Sequence, residues 1–240
     1  MTRTVLVTGG GTGIGAAIAA RFAQDGDAVY ITGRRAELLK HTATAINATP
    51  ITCDHTDPDQ VTALLSQLPA QLDVLVNNAG GNTDFDASSG ADDLAAYAAA
   101  WRANLDANLL SAALTTRAVA DRLAAGGAVV HIGSIAADKG AGAYGAAKAG
   151  LASWNVGLAA ELGPRGITAN VVSCGYIEAT EFFRDRLSDS RRTQLVADTR
   201  TGRPGTVEDI AGTVHFLASP AARQITAQTL NVNGGAWPTR

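Results

Sequence analysis

The stretch TVLVTGGGTGIGAAIAARFAQDG (residues 4–26) contains the three signals that decide the fold. The apolar run 4–8 predicts a buried strand, and the alanine-rich amphipathic run 14–25 predicts a helix. Between them, the glycines of 9–15 permit a tight turn and a close approach of the backbone to a phosphate group. Free N–H groups at the helix start favour an anion there, so the stretch predicts a binding site for the pyrophosphate of a dinucleotide. The alternative is a flexible turn without a ligand.

The rest of the chain repeats this alternation of buried strand and amphipathic helix. Further strands are predicted at 28–32, 50–53, 72–77, 128–133, 167–172 and 228–232, and further helices at 35–47, 57–68, 92–124, 144–162 and 207–218. Near-continuous apolar strands joined by helices are typical of a parallel sheet that is covered on both faces. Right-handed crossovers then favour an α/β fold over 1–240: a single-domain, doubly wound Rossmann fold with a seven-stranded, mostly parallel sheet.

One long polar segment, 176–203, has no strand pattern and follows a predicted strand. Insertions after the carboxyl end of a strand more often form a mobile cover than a core element. We therefore predict a substrate lid at about 176–203. Its aromatic residues Tyr176, Phe182 and Phe183 could cover an apolar substrate.

The composition of the chain excludes several classes of function. A net charge of −3 argues against non-specific nucleic-acid binding. The two cysteines, Cys53 and Cys174, have neither CxxC nor CxxH spacing, so no metal site is predicted. No run has the length of a transmembrane helix and no long apolar run precedes the first strand, which predicts a cytoplasmic protein without membrane contact.

Two arginines, Arg34 and Arg35, follow the second predicted strand, where an NAD-binding protein places a carboxylate on the ribose hydroxyls. No acidic residue is available at this strand end. An arginine there binds a 2′-phosphate through charge-assisted hydrogen bonds, so the sequence predicts NADP(H) rather than NAD(H). The alternative is that both arginines only begin a solvated helix.

Several spaced motifs, in order along essentially the whole chain, resemble those of the short-chain dehydrogenase/reductase family. TGGGTGIG (8–15) resembles the family's cofactor turn, NNAG (77–80) the segment after its fourth strand, and YGAAK (144–148) its tyrosine–lysine pair. The segments 202–219 and 230–235 resemble the 3-oxoacyl-acyl-carrier-protein reductase branch. The resemblance implies a small-molecule carbonyl or alcohol substrate, and a homotetramer or homodimer.

The same resemblance implies a set of four catalytic residues. Tyr144 would be the proton donor in reduction and the base in oxidation, and Ser134 would hydrogen-bond the substrate oxygen. Lys148 would hold the nicotinamide ribose, and Asn108 would help to hold a water chain for proton relay. Because Tyr144 and Lys148 lie one helical turn apart, we expect the ammonium to lower the phenol pKa from about 10. The alternative for this pair taken alone is an exposed pair that only shares solvent.

Cofactor contacts implied by the resemblance lie on the turn and at the ends of several strands. They are Gly9, Gly11, Thr12, Gly13, Ile14, Arg34, Arg35, Asp54, His55, Asn78, Ala79, Gly80, Tyr144, Lys148, Gly175, Ile177 and Thr180. The chain departs from the family pattern at Cys174, which replaces a proline, and at Ala179, which replaces a threonine. In the family, that threonine contacts the nicotinamide carboxamide. In this chain we expect Thr180, the next residue, to make the contact.

These features predict an NADPH-dependent oxidoreductase that transfers a hydride between nicotinamide and a carbonyl or secondary alcohol, with a 3-oxoacyl thioester as the first candidate substrate. One alternative is an NADP-dependent alcohol or sugar dehydrogenase. Another is a non-catalytic NADP-binding regulator, against which the intact catalytic set argues. Specificity is expected to reside in 81–100, 135–143 and 176–203, which have no readable code. His131, inside an apolar strand, is predicted to be a core residue rather than a base.

Overall fold

The computed structural model describes residues 2–86, 93–183 and 186–238, with the side chains of 85 and 86 left out. Residues 87–92 and 184–185, which fall in the predicted specificity segments, lie outside this description. The strands are β1 (Thr4–Thr8), β2 (Ala28–Gly33), β3 (Thr49–Thr52), β4 (Leu72–Asn77), β5 (Leu123–Ser134), β6 (Thr168–Cys174) and β7 (Thr229–Val232). Each of the seven predicted strands is confirmed.

The strands form one sheet in the order β3-β2-β1-β4-β5-β6-β7. Every strand pair is parallel, so the sheet predicted as mostly parallel is parallel throughout the described residues. The chain fills one side of β1 with β2 and β3 and then crosses to β4 on the other side. A crevice opens where the strand order reverses in this way, at the carboxyl ends of β1 and β4. This doubly wound α/β arrangement confirms the predicted fold class.

Helices cover both faces of the sheet, which explains why the strands are apolar at successive positions. The helices are α1 (Gly13–Gln24), α2 (Ala36–Ile46), α3 (Pro58–Leu64), α4 (Leu94–Leu105), α5 (Ser111–Val119), α6 (Ala136–Lys139), α7 (Gly142–Leu162), α8 (Asp189–Ala197) and α9 (Val207–Leu217). In β1, Val5 and Val7 pack into one cluster with α1 and α9, whereas Leu6 packs into the opposite cluster with α3 and α7.

The single helix predicted at 92–124 is wrong in two respects. A π-helical turn, Asp106–Leu110, divides it into α4 and α5, and its last two residues already belong to β5. Within the turn, the Asn108 amide donates to the Asn104 carbonyl and to the backbone of Gly81, which is distant in sequence. At the end, Leu123 pairs with Leu72 of β4, so this alanine-rich stretch is drawn into the sheet by its neighbour. Tertiary contacts override local helix propensity at both places.

The predicted lid segment, 176–203, contains a 3-10 turn (Glu181–Phe183) and the helix α8. None of the α8 residues is buried, although its first turn is capped by the Ser188 hydroxyl, which accepts from the Arg191 N–H. The helix α8 therefore lies on the surface, beyond the carboxyl end of β6. No helix in the described part of the chain has both the length and the apolarity that a bilayer crossing requires.

Candidate active site

The glycine turn between β1 and α1 is held in place by the end of β4. The Thr8 hydroxyl accepts from the Asn78 and Ala79 N–H groups, at 3.0 and 2.9 Å. The Asn78 side-chain amide donates to the carbonyls of Thr8 and Gly9, both at 3.0 Å. Asn78 and Ala79 were predicted to bind cofactor, and both lie at the turn. Thr8, absent from the predicted contacts, is the residue that joins them to it.

At Gly9 and Gly15, the same turn has no room for a side chain. Gly9 has φ +65°, in the left-handed region that glycine adopts without strain. A side chain at Gly15 would overlap the Gly9 carbonyl and would approach Asn78 Nδ2 to 2.5 Å. The N-cap residue of α1, Thr12, makes no side-chain capping bond, and the first turn carries no acidic residue. The helix start therefore keeps N–H donors and positive dipole potential for an anion. Binding of the cofactor by Gly9, Gly11, Thr12, Gly13 and Ile14 stays a prediction.

Beside the turn, the end of β2 presents Arg34 and Arg35, both exposed. Arg35 Nη2 donates to the Thr12 hydroxyl at 3.1 Å and to Glu181 Oε2 at 2.8 Å. Asp54 lies near Arg34, and hydrogen bonds from Thr56 together with that positive charge hold the pKa of the Asp54 carboxyl below its usual value despite partial burial. Two of the predicted cofactor residues, Thr12 and Arg35, are thus in direct contact.

His55 is buried between β2 and α5. Its Nε2 lies 2.6 Å from the Thr32 hydroxyl, and its Nδ1 lies 2.7 Å from the Thr115 hydroxyl. Because Thr115 donates its own proton to the Ser111 carbonyl, we assign the ring proton to Nδ1 and an acceptor role to Nε2. Both ring nitrogens are engaged inside the protein. The imidazole, predicted to line the adenine site, therefore joins β2 to α5 and offers no nitrogen to a ligand.

His131 is a core residue, as predicted, with its ring centroid 5.1 Å from that of Trp154. Burial lowers the pKa of His55 from 6.5 to about 4 and that of His131 to about 3. Both imidazoles therefore stay uncharged in the folded protein at neutral pH. On unfolding below pH 6.5, each takes up a proton, which favours the unfolded state.

We expect the free energy of unfolding to fall as the pH drops below about 6.5, by up to about 2.7 kcal/mol per pH unit from the two histidines together. Urea unfolding at several pH values between about 7 and 4 measures this slope. The variant His131→Asn should lower the slope by up to about 1.4 kcal/mol per pH unit. An unchanged slope in this variant would show that His131 is not a source of the pH dependence.

Tyr144 and Lys148 lie on the buried face of α7, one turn apart. Lys148 Nζ donates to the Ile132 carbonyl of β5 at 2.8 Å and lies 5.9 Å from the centroid of the Tyr144 ring. The Tyr144 side chain shares a hydrogen bond with that of Ser134, the last residue of β5. Ser134 also accepts from the Ala136 N–H at 3.1 Å. The structure thus brings Ser134, Tyr144 and Lys148 together, and the surface-pair alternative is wrong because both members are buried.

The expected effect of Lys148 on the phenol is wrong for the protein as it stands. Burial raises the pKa of Tyr144 above its usual value, and this effect outweighs the hydrogen bond from Ser134. Burial also lowers the pKa of Lys148 from 10.5 to about 8, while Cys174 opposes that shift. The reason is geometric: the ammonium is directed to the Ile132 carbonyl, and both groups lie out of water.

Asn108, predicted as the fourth catalytic residue, is buried in the π-helical turn. Its side-chain amide exchanges hydrogen bonds with both backbone groups of Gly81, at 3.0 and 2.9 Å. A side chain at Gly80 would approach Asn108 Oδ1 to 2.6 Å. Asn108 therefore fixes the course of the chain after β4, at the mouth of the crevice. Its part in a water chain stays a prediction.

The chain after β6 forms a further side of the site. A Cβ atom at Gly175 would lie 2.9 Å from the Cα atom of Asn233, so only glycine fits there, and Ile177 is buried. Ala179 has φ +55°, a strained conformation for a residue other than glycine. Thr180, next along the chain, donates to the Ile177 carbonyl, and its methyl group is 3.8 Å from the position that a Gly13 side chain would take. Thr180 therefore lies beside the glycine turn through its methyl group, and its contact with the carboxamide stays a prediction.

Aromatic side chains of the 3-10 turn cover Tyr144. The ring centroid of Phe182 lies 5.6 Å from that of Tyr144, and Phe183 packs between Phe182 and Tyr176, at 5.0 and 5.9 Å. Glu181, in the same turn, was not predicted at the site. Its partner Arg35 is 146 residues away, and no local pattern signals that contact.

Known proteins resemble the chain along nearly its whole length. A family model described as enoyl-(acyl carrier protein) reductase matches residues 9–236. The 3-oxoacyl-[acyl-carrier-protein] reductase FabG of Escherichia coli is 36% identical over 246 residues, covering 98% of this chain and 97% of that protein.

Solved structures resemble the chain over the same length. A short chain dehydrogenase from Burkholderia cenocepacia in complex with NADP is 35% identical, with a TM-score of 0.86, and the match covers 98% of this chain and 97% of that one. A blue fluorescent protein from a metagenomic library, in complex with NADPH, is 34% identical with a TM-score of 0.86 at the same coverage.

Proposed function

Because this chain belongs to the short-chain dehydrogenase/reductase family, we propose that it is an NADPH-dependent carbonyl reductase that acts on 3-oxoacyl thioesters. The observation that carries the proposal is the meeting of Ser134, Tyr144 and Lys148 at the carboxyl end of β5, on the same edge of the parallel sheet as the glycine turn. Thr180 approaches that turn while its neighbour Phe182 packs on Tyr144, so the catalytic and phosphate ends lie under one segment.

The residues present fit a phosphorylated dinucleotide. The turn would hold the pyrophosphate through backbone N–H groups. Gly9 and Gly15 leave no space for side chains there, and the N-cap residue Thr12 makes no side-chain hydrogen bond to the first turn of α1. Arg34 and Arg35 would bind the 2′-phosphate, because they directly follow Gly33 and the end of β2 carries no carboxylate. Two structural relatives are described as complexes with NADP or NADPH, which supports the same cofactor here.

The bound nicotinamide supplies the hydride, and the chain must handle the proton and the developing charge. As the carbonyl is reduced, negative charge grows on its oxygen. Tyr144 would donate its phenol proton to that oxygen, and Ser134 would donate a hydrogen bond to it. The elevated phenol pKa keeps Tyr144 protonated and ready to donate until substrate and cofactor are bound. Lys148, with its pKa lowered to about 8, would exchange protons close to neutral pH.

The substrate class rests on likeness and on the cover of the site. The E. coli relative is named for 3-oxoacyl reduction. Phe182, Phe183 and Tyr176 form an apolar cover over Tyr144, which suits an acyl chain better than a sugar. An alcohol or sugar dehydrogenase working in the oxidative direction is the second candidate.

The test is oxidation of NADPH, followed by absorbance, with an acetoacetyl thioester, and with NADH and a crotonyl thioester as parallel controls. We expect turnover of the acetoacetyl thioester with NADPH, and a rate lower by about tenfold or more with NADH. Turnover of the crotonyl thioester alone would instead indicate an enoyl reductase. Tight NADPH binding without turnover of either thioester would rule out this substrate class and leave sugars and secondary alcohols to be tested.

A further inference from the structure

One carboxylate lies at the cation that the proposed function assigns to the cofactor. Glu181 Oε2 accepts from Arg35 Nη2 at 2.8 Å and from the Thr12 hydroxyl at 3.4 Å, while Arg35 also donates to Thr12 at 3.1 Å. An arginine and a hydroxyl beside a helix start are donors that suit a phosphate oxygen. In this structure they are used by an acidic side chain of the same protein.

The position of Glu181 between two anchored neighbours explains how it reaches those donors. On one side, Thr180 lies against Gly13 of the glycine turn. On the other, Phe182 packs on Tyr144. The three residues 180–182 therefore cross the groove between the glycine turn and α7, and Glu181 points to the end of β2.

We propose that Glu181 sets the affinity and selectivity for the cofactor by competing with its 2′-phosphate for Arg35 and Thr12. This inference rests on the proposed function. In the cofactor-free protein the carboxylate occupies the donors, and NADP(H) binds by displacing it. A cofactor without the 2′-phosphate does not need Arg35 and gains little from the displacement.

The charges decide the direction of the effect. A phosphate monoester carries a charge of about −1.5 to −2 at pH 7, more than a carboxylate, and so it replaces Glu181 on the arginine. While Glu181 stays near, it also repels the incoming phosphate. The side chains of Arg35 and Glu181 are 57% and 60% exposed, so solvent weakens the pair and makes it easy to open. The expected change in affinity is therefore moderate.

The test compares Glu181→Gln with the matched control Glu178→Gln, which removes the same charge from an exposed position in the same segment. NADPH and NADH are titrated against each protein by fluorescence without substrate, at low and high salt. We expect Glu181→Gln to bind NADPH about two- to fivefold more tightly than wild type, with NADH affinity changed by less than about twofold. The gain should shrink in about 1 M salt, and Glu178→Gln should match wild type.

Other outcomes overturn the proposal in distinguishable ways. Weaker NADPH binding by Glu181→Gln would show that the carboxylate closes over the bound cofactor instead of competing with it. If Glu181→Gln has the NADPH affinity of wild type, and wild type prefers NADPH to NADH, only the role of Glu181 is refuted. A wild type that binds NADPH and NADH equally, or neither, would refute the proposed cofactor preference and this inference with it.

Discussion

Replacing Tyr144 with phenylalanine should reduce carbonyl turnover by about a thousandfold or more and leave NADPH affinity within about twofold. Phenylalanine keeps the buried ring and its packing 5.6 Å from Phe182, so the fold and the cover of the site are retained. The variant loses only the hydroxyl that Ser134 hydrogen-bonds and that would donate the proton. Steady-state turnover measures the first effect, and a fluorescence titration with NADPH measures the second.

The matched control is Tyr30→Phe, the same chemical change on the partly buried tyrosine of β2, which lies outside the predicted specificity segments. It should be indistinguishable from wild type in both measurements. If Tyr144→Phe kept more than about a tenth of the wild-type turnover, Tyr144 would not be the proton donor. Loss of NADPH binding in the variant would instead indicate that its hydroxyl holds the cofactor.

A methyl group at Gly15 should weaken NADPH binding by about a hundredfold or more. The added carbon would overlap the Gly9 carbonyl and crowd the Asn78 amide, so the glycine turn and the start of α1 would have to move apart. That movement displaces the N–H donors that would bind the pyrophosphate. Circular dichroism at the titration temperature establishes that the variant is folded before its NADPH affinity is compared with wild type.

Gly212→Ala in α9 is the control for this substitution, because no atom lies within 4 Å of the added carbon. It should raise the free energy of unfolding by about 0.5–1 kcal/mol through better helix propensity and leave NADPH affinity unchanged. Wild-type NADPH affinity in a folded Gly15→Ala protein would contradict the assignment of the pyrophosphate to this turn.

The inner strands could be predicted because they are short apolar runs that the helices bury on both faces of the sheet. Val5, Leu6 and Val7 show this, since successive side chains enter opposite clusters. By contrast, the sequence gives no sign of the π-helical turn that divides the helix expected at 92–124. That turn depends on the Asn108 amide, which binds Gly81, a partner fixed only after β4 and α4 have come together.

At the site, residue identities could be predicted better than their electrostatics. Spacing alone placed Tyr144 and Lys148 on one face of a helix. The sign of the phenol pKa shift depends on how deeply α7 is buried and on the Ile132 carbonyl that takes the ammonium. The contact of Glu181 with Arg35 depends likewise on the path of the chain after β6, which has no periodicity to reveal it.

The crossover that places β4 beside β1 has a consequence for how the chain is made. Val5 pairs with Val74 of the central strand β4, but this partner is synthesised about seventy residues later. At ribosomal rates of about 5–20 residues per second, β1 waits roughly 4–14 s for that neighbour. During this interval the emerging polypeptide exposes an apolar strand edge, so we expect chaperone capture and temperature during expression to govern the yield of folded protein.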